Sequence, residues 1–178
     1  TAYEIYQCDW SSDVCSSDLL PTELVLVEYS NYLDVASAIK TLVIRGAPAI
    51  GVAGAFGLAL ASLQSKSNTK EQLISDLEIA KKILFETRPT AVNLSWGLEQ
   101  IMMVAKKGNT VSEIQNLIIN TAKQMAEDDI KINMTMGKYG SELFSNNDTI
   151  MTHCNAGSLA TVDRKSTRLN SSHTDISR

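Results

Sequence analysis

The chain has 178 residues, of which 44% are hydrophobic and 20% charged, enough for one ordinary core or for one domain and part of a second. Its net charge of -4 gives no basic field for nucleic acid or for an anionic membrane surface, so we expect neither partner. No basic-then-apolar leader precedes the first elements, which favours a cytoplasmic location. The three cysteines have neither disulfide nor metal-ligand spacing, and we expect no metal.

The two ends of the chain differ from its middle. Residues 163–173 back-translate codon by codon to a common short-read sequencing adapter, and residues 9–19 read as the reverse complement of the same adapter. Two serine-rich disordered tails would explain the composition but not this complementarity. We therefore interpret residues 1–19 and 163–178 as translated adapter sequence, expect them to be disordered, and argue function from the middle.

Residues 20–146 are predicted to form a mainly α-helical amino-terminal domain with one short β element. The run Glu23–Tyr29 is apolar and β-branched, which is typical of a strand. Helical periodicity and capping signals then predict five helices. These cover Asn31–Val43, Ala47 to about Leu63, a helix capped by Thr69 that ends before Arg88, one from Asn93 or Ser95 to Gly108, and one from Thr110 to about Phe144.

Two of these helices carry specific expectations. In the first, Val35, Ile39, Leu42 and Val43 should share one apolar face. The second begins with a proline in its first turn and is built of small and apolar residues throughout, so that neighbouring backbones can approach it closely. It should lie at the centre of the bundle.

A second, Rossmann-like α/β domain is predicted to begin near Asn147 and to be truncated after its first strand, so that it covers residues 147–162. Thr149–His153 is a short apolar strand. It leads into Cys154–Ser158, a loop of small residues of the kind that binds ligands beyond the carboxyl end of a strand.

Three positions are candidates for chemistry. Arg45, followed by Gly46, Ala47 and a proline, places a guanidinium at the mouth of a helix, where unpaired amides and the helix dipole suit a phosphate. A solvated arginine in an ordinary turn explains the same residues.

Arg88 lies at a second junction between helices, although a cation at a helix carboxyl end is also a common stabilising placement. Cys154 follows a strand end among backbone amides, where a thiol could gain a lowered pKa and act as an acid, a base or a nucleophile. A buried, inert cysteine is the alternative. No cofactor motif is present, and we expect no cofactor.

Three segments together resemble the methylthioribose-1-phosphate isomerases: residues 44–53 (Ile-Arg-Gly-Ala-Pro-Ala-Ile-Gly-Val-Ala), residues 88–94 (Arg-Pro-Thr-Ala-Val-Asn-Leu) and residues 152–161 (Thr-His-Cys-Asn-Ala-Gly-Ser-Leu-Ala-Thr). The resemblance implies an aldose–ketose isomerase that converts 5-methylthioribose 1-phosphate into 5-methylthioribulose 1-phosphate in methionine salvage. It implies that Arg45, Gly46, Ala47 and Arg88 bind this sugar phosphate and that Cys154 is a catalytic acid or base.

The resemblance also implies an aspartate partner from the carboxyl-terminal domain, beyond Val162, and a homodimer when the protein is full length. We therefore expect the 178-residue chain to be inactive. Two alternatives stay open: a ribose-1,5-bisphosphate or 5-deoxyribose-1-phosphate isomerase, and a non-catalytic regulatory subunit of the translation-initiation guanine-nucleotide exchange factor. The truncated chain could also be a helical fragment with no function of its own.

Overall fold

The computed structural model describes residues 29–145, 148–149, 151 and 160–162. Within these residues the structure has five helices and no strand. The helices are α1 (Tyr32–Lys40), α2 (Ala47–Gln64), α3 (Lys70–Thr87), α4 (Val92–Ala105) and α5 (Val111–Ser141). The predicted helical bundle is confirmed, while the strand Glu23–Tyr29 and the Rossmann-like strand lie largely outside the described residues and stay predictions.

Helix α2 is the centre of the bundle, as its small residues predicted. It packs against each of the other four helices, and the 14 residues from Ala49 to Ser62 are all buried. By length and composition α2 could cross a membrane, but 78% of it is buried inside the bundle, as in a core helix. Burial on all sides explains why its sequence has no polar face.

The long helix α5 is buried along only half of its length. Its buried residues are Ile114, Ile118, Ala122 and Ala126. Beyond these, the large apolar side chains Ile132, Met136, Tyr139 and Leu143 are exposed. The first half is therefore part of the core, whereas the large apolar side chains after Ala126 are mostly exposed.

Several helix boundaries differ from the prediction: α4 ends at Ala105 and α5 at Ser141, each three residues early, and two more differences have a local cause. Helix α1 ends at Lys40, and Leu42 follows in the left-handed region with φ 65, so neither Leu42 nor Val43 continues the apolar face. Helix α4 begins at Val92. Its N-cap is Ala91, which has an extended backbone and offers no side-chain hydrogen bond to the helix. The prediction that Asn93 or Ser95 begins this helix was wrong.

Candidate functional site

The junction between α1 and α2 holds Arg45, Gly46 and Ala47. Helix α1 ends at a tight turn in which the N–H of Ile44 donates to the carbonyl oxygen of Ala38 at 3.1 Å. Ile44 is only 1% exposed. Ile44 immediately precedes the junction, and its buried side chain fixes the backbone there. The junction is therefore held against the core rather than left as a solvated loop.

Arg45 itself is half-buried, and its Nε atom is buried. Gly46 is buried and Ala47 is exposed. The guanidinium of Arg45 thus lies partly buried two residues before the exposed Ala47, and a guanidinium group is suited to binding an anion. The half-buried environment argues against a fully solvated turn arginine.

The amino end of α2 offers fewer donors than a free helix would. Gly46 is the N-cap, with φ -63 and ψ 135 and no side-chain hydrogen bond. Pro48 has no N–H, and the N–H of Ala49 donates to the carbonyl oxygen of Ala160 at 3.2 Å. The amides of Gly46 and Ala47 are therefore the candidate donors of this turn, so an anion here depends more on Arg45 than on the helix dipole.

Residues 160–162 lie directly against this junction. A Cβ added to Gly46 would lie 2.5 Å from the carbonyl oxygen of Ala160 and 2.6 Å from its carbonyl carbon, closer than any real side chain. Thr161 and Val162 are each 6% exposed. Only glycine permits this approach. The third resembling segment thus ends in contact with the first, although the two are more than a hundred residues apart in the sequence.

Cys154 and His153 lie outside the described residues. The predicted catalytic role of Cys154 stays a prediction.

Arg88 is the C-cap of α3, where its φ is -149 and its ψ is 79. It is half-buried. Its N–H donates to the carbonyl oxygen of Phe85 at 3.2 Å, and its own carbonyl oxygen accepts from the N–H of Ala91 at 3.0 Å. The backbone of Arg88 therefore connects α3 to α4, and its placement at a helix carboxyl end also fits the purely stabilising alternative.

The start of α4 lies beside the first turns of α2. A Cβ on Gly51 would lie 2.8 Å from the carbonyl oxygen of Asn93, and a Cβ on Gly97 would overlap the carbonyl group of Gly51. These glycines let the two helix backbones touch. Gly51 is six residues beyond Arg45 and Asn93 is five beyond Arg88, so each arginine junction lies within six residues of this crossing.

Sequence reasoning missed Asp129, which reaches the same junction from α5. One of its carboxylate oxygens accepts from the N–H of Val162 at 2.8 Å. The other accepts from the Nδ2 of Asn133 at 3.1 Å. The i, i+4 spacing of Asp129 and Asn133 is visible in the sequence, but it resembles an ordinary solvated helix face and did not distinguish these residues.

A polar surface groove lies at the opposite end of α2 and is separate from the junction. It is lined by Lys66, Ser67, Gln72, Ser75 and Asp76. Hydrogen bonds from the hydroxyls of Ser65 and Ser67, at 2.6 and 2.7 Å, lower the pKa of Asp76. Within the described part of the chain, no group of three or more His, Cys, Asp or Glu side chains could hold a metal ion.

The chain is similar in sequence and in structure to known proteins. The chain is 43% identical over 158 residues to the methylthioribose-1-phosphate isomerase of Acetivibrio thermocellus, an alignment that covers 88% of this chain and 46% of that protein. The structure of the 5-methylthioribose 1-phosphate isomerase of Pyrococcus horikoshii superposes with a TM-score of 0.79 at 42% identity and covers 89% of this chain and 45% of that one.

A second solved structure is described as subunit delta of the translation initiation factor eIF-2B from A. fulgidus. It superposes with a TM-score of 0.76 at 43% identity, over 83% of this chain and 44% of that one. The chain thus spans a little under half the length of these relatives. A model of the initiation factor 2 subunit family matches residues 43–174, which is most of the sequence. The chain therefore belongs to the initiation factor 2 subunit family.

Proposed function

We propose that the full-length protein converts 5-methylthioribose 1-phosphate into 5-methylthioribulose 1-phosphate, and so serves methionine salvage. The observation that carries the proposal is the contact between the Arg45–Ala47 junction and residues 160–162, which closes the third resembling segment onto the first. The name of the Acetivibrio thermocellus relative and of the Pyrococcus horikoshii structure supports the same substrate.

The phosphate of the substrate is assigned to Arg45 and the amides of Gly46 and Ala47. A guanidinium binds a phosphate through two parallel hydrogen bonds, whereas the amides supply direction. Arg88 is assigned as the second substrate-binding cation, and the crossing of α2 and α4 within five residues of it supports the assignment. Two cations suit a substrate whose only formal charge is its phosphate dianion.

The chemistry requires a general acid and a general base. Because the anomeric oxygen of the substrate carries the phosphate, the sugar ring does not open to a free aldehyde, and hydrogen must be moved between the anomeric carbon and its neighbour with the ring oxygen protonated as the leaving group. Cys154 is proposed as one member of the pair. Its aspartate partner is proposed to lie beyond Val162, so the 178-residue chain should show no turnover.

The test is turnover of methylthioribose 1-phosphate by the full-length protein. We expect Arg45→Lys to raise the KM about tenfold or more, because a lysine retains the charge but loses the paired hydrogen bonds. Cys154→Ser should reduce kcat by about 10² or more. Lys107→Gln removes an exposed cation on the same domain and should leave both constants unchanged.

A preference for ribose 1,5-bisphosphate or 5-deoxyribose 1-phosphate in competition would contradict this function and transfer the chemistry to a different sugar. Turnover by the purified 178-residue chain would support the function, but it would refute the prediction that the catalytic partner is missing from this chain. The homodimer and the cytoplasmic location are proposed on the resemblance alone, and sedimentation of the full-length protein tests the first.

Assembly in a translation-initiation complex is the second candidate, and the similarity to the eIF-2B subunit of A. fulgidus favours it. Sugar-phosphate binding separates the two functions. Calorimetric titration of the full-length protein with methylthioribose 1-phosphate should show one site per chain, which Arg45→Lys weakens. A protein that binds no sugar phosphate would support the assembly function instead.

The adapter interpretation of residues 1–19 and 163–178 is proposed separately and is tested by sequencing. Reading the source locus without adapters should yield different codons on both sides of residues 20–162. An open reading frame that continues past Val162 should encode alternating strands and helices with an aspartate at a strand end. Recovery of both tails in the genomic sequence would refute the interpretation.

A further inference from the structure

We propose that Asp129 is a positioning residue: its carboxylate fixes residues 160–162 on the Arg45–Ala47 junction and thereby sets the geometry in which the junction binds its ligand. The proposal rests on the proposed function for its ligand, but the contact itself is independent of it. No acid–base role is assigned to Asp129.

The carboxylate of Asp129 is held in place from its own helix. The Nδ2 of Asn133 donates to the Oδ1 of Asp129 at 3.1 Å and to its backbone oxygen at 2.7 Å. Asp129 is itself half-buried. A side chain with one oxygen already engaged on a rigid helix presents the other in a fixed direction, which is what a positioning group requires.

The second oxygen of Asp129 holds the backbone of the incoming segment. The N–H of Val162 donates to its Oδ2 at 2.8 Å, across 33 residues of sequence. Val162 is 6% exposed. A backbone amide that is buried without an acceptor is costly, and a charged acceptor forms a stronger bond than a neutral one. The bond therefore fixes where Val162 can lie.

The same segment then contacts the ligand-binding turn two residues earlier. The carbonyl oxygen of Ala160 accepts the N–H of Ala49 at 3.2 Å, and its backbone lies so close to Gly46 that no side chain would fit between them. A continuous series of contacts thus runs from α5 to the amino end of α2, through Asp129, Val162, Ala160 and Gly46. Movement of Val162 would move Ala160 and change the space next to Gly46.

The placement gives Asp129 a function that its neighbour lacks. Asp128 is exposed, accepts from Gln124 at 2.8 Å and lies 4.0 Å from Lys131, all on the surface of α5. Exposed pairs of this kind contribute little to stability. Asp128 therefore provides a matched control that removes the same charge from the same helix without touching residues 160–162.

The experiment uses the full-length protein and two readouts. The first is hydrogen exchange at the Val162 amide, which should be protected in the wild type and exchange at least about tenfold faster in Asp129→Ala. The second is kcat/KM for methylthioribose 1-phosphate, which should fall about tenfold or more in the same variant, because small displacements of a binding turn have large effects on rate. Asp128→Ala should change neither.

Rescue by a conservative variant separates positioning from charge. The carboxamide oxygen of Asp129→Asn can still accept the Val162 N–H, so this variant should retain protection and keep kcat/KM within about threefold of the wild type. If Asp129→Ala fails to fold, Asn133→Ala releases the other carboxylate oxygen and should show the same two losses in a milder form.

Three results would overturn the proposal. Unchanged protection of Val162 in Asp129→Ala would show that the contact does not fix the segment. Lost protection with an unchanged kcat/KM would show that the segment does not position the junction. Equal losses in Asp129→Asn and Asp129→Ala would assign the effect to charge. If the wild-type protein has no turnover, the proposed function fails, whereas hydrogen exchange still decides whether Asp129 holds Val162.

Discussion

Replacing Gly97 by alanine tests the crossing of α2 and α4 on which the arrangement of the two arginine junctions depends. A Cβ at Gly97 would overlap the carbonyl oxygen of Gly51 and lie 2.9 Å from its carbonyl carbon and 3.2 Å from its Cα. Ordinary van der Waals contact for a Cβ begins at 3.4 Å. Since all three atoms belong to the backbone of a central helix, no rotamer change can relieve the overlap, and the helices must separate.

The magnitude follows from two opposing terms. Overpacking of a well-packed core costs about 1–3 kcal/mol, and backbone against backbone belongs at the upper end. Alanine is better than glycine in a helix interior by about 1 kcal/mol. The expected net loss in the free energy of unfolding is therefore about 2 kcal/mol.

Urea denaturation followed by far-UV circular dichroism measures this loss, which should lower the transition midpoint by about 1 M. Gly140→Ala is the matched control, because a Cβ there meets nothing within 4 Å. It should leave the free energy of unfolding unchanged or raise it by up to about 1 kcal/mol. A Gly97→Ala chain as stable as Gly140→Ala would refute the close crossing, and with it the support that the crossing gives to the assignment of Arg88.

Three further predictions concern stability and titration. Leu42→Gly should raise the free energy of unfolding by about 1 kcal/mol, because it relieves the left-handed φ of 65, whereas Leu42→Ala keeps the strain and should give no gain in the same denaturation assay. Ile118→Ala should cost about 2–4 kcal/mol and Ile132→Ala less than about 0.5 kcal/mol, since the first is buried and the second is 58% exposed; equal losses would show that the second half of α5 is packed. The pKa of Asp76 is lowered below 3.8 mainly by the Ser65 hydroxyl, so its contribution to stability is present above that value and is lost as the pH falls through the folded pKa. Ser65→Ala should move the carboxyl resonance midpoint of Asp76 upward in an NMR titration, and an unchanged midpoint would remove Ser65 as the cause.

Elements whose signals are local could be predicted from the sequence. In α3 the predicted cap is confirmed, because the hydroxyl of Thr69 accepts from the N–H of Gln72. The buried residues of α3 recur at the helical spacing that predicted this helix; they are Leu73, Leu77, Ala80 and Leu84. Both depend only on residues within a few positions of one another, which is the range over which capping and helical periodicity act.

The boundary errors at the end of α1 and the start of α4 arose where a residue adopts a conformation that its type does not indicate. Leu42 takes a left-handed φ that is normally occupied by glycine, so the sequence carried no stop signal after Lys40. Ala91 begins α4 without a side-chain acceptor. In both cases the buried residues nearby, Ile44 and Leu94, fix the chain direction. Tertiary packing thus overrode local preference.

The candidate site residues that the sequence predicts belong to a motif, whereas the contact that it missed is tertiary. Arg45 and Gly46 are candidates because an arginine, a glycine and a proline at a helix start have a physical meaning together. Nothing local indicates that Asp129 holds Val162, since the two are 33 residues apart and each has an ordinary neighbourhood. Such a contact can be recognised only once the folded structure is known.

The contact between Ala160 and the amino end of α2 also bears on how this junction could select one anionic ligand over another. A helix end with all its amides free would bind many anions through its dipole. Here proline removes one donor and Ala160 occupies another, so that Gly46 and Ala47 remain beside a half-buried arginine. Fewer free donors should weaken the binding of anions in general. Under the proposed function, selectivity for a sugar phosphate over free phosphate should therefore come from contacts between its sugar and Ala160.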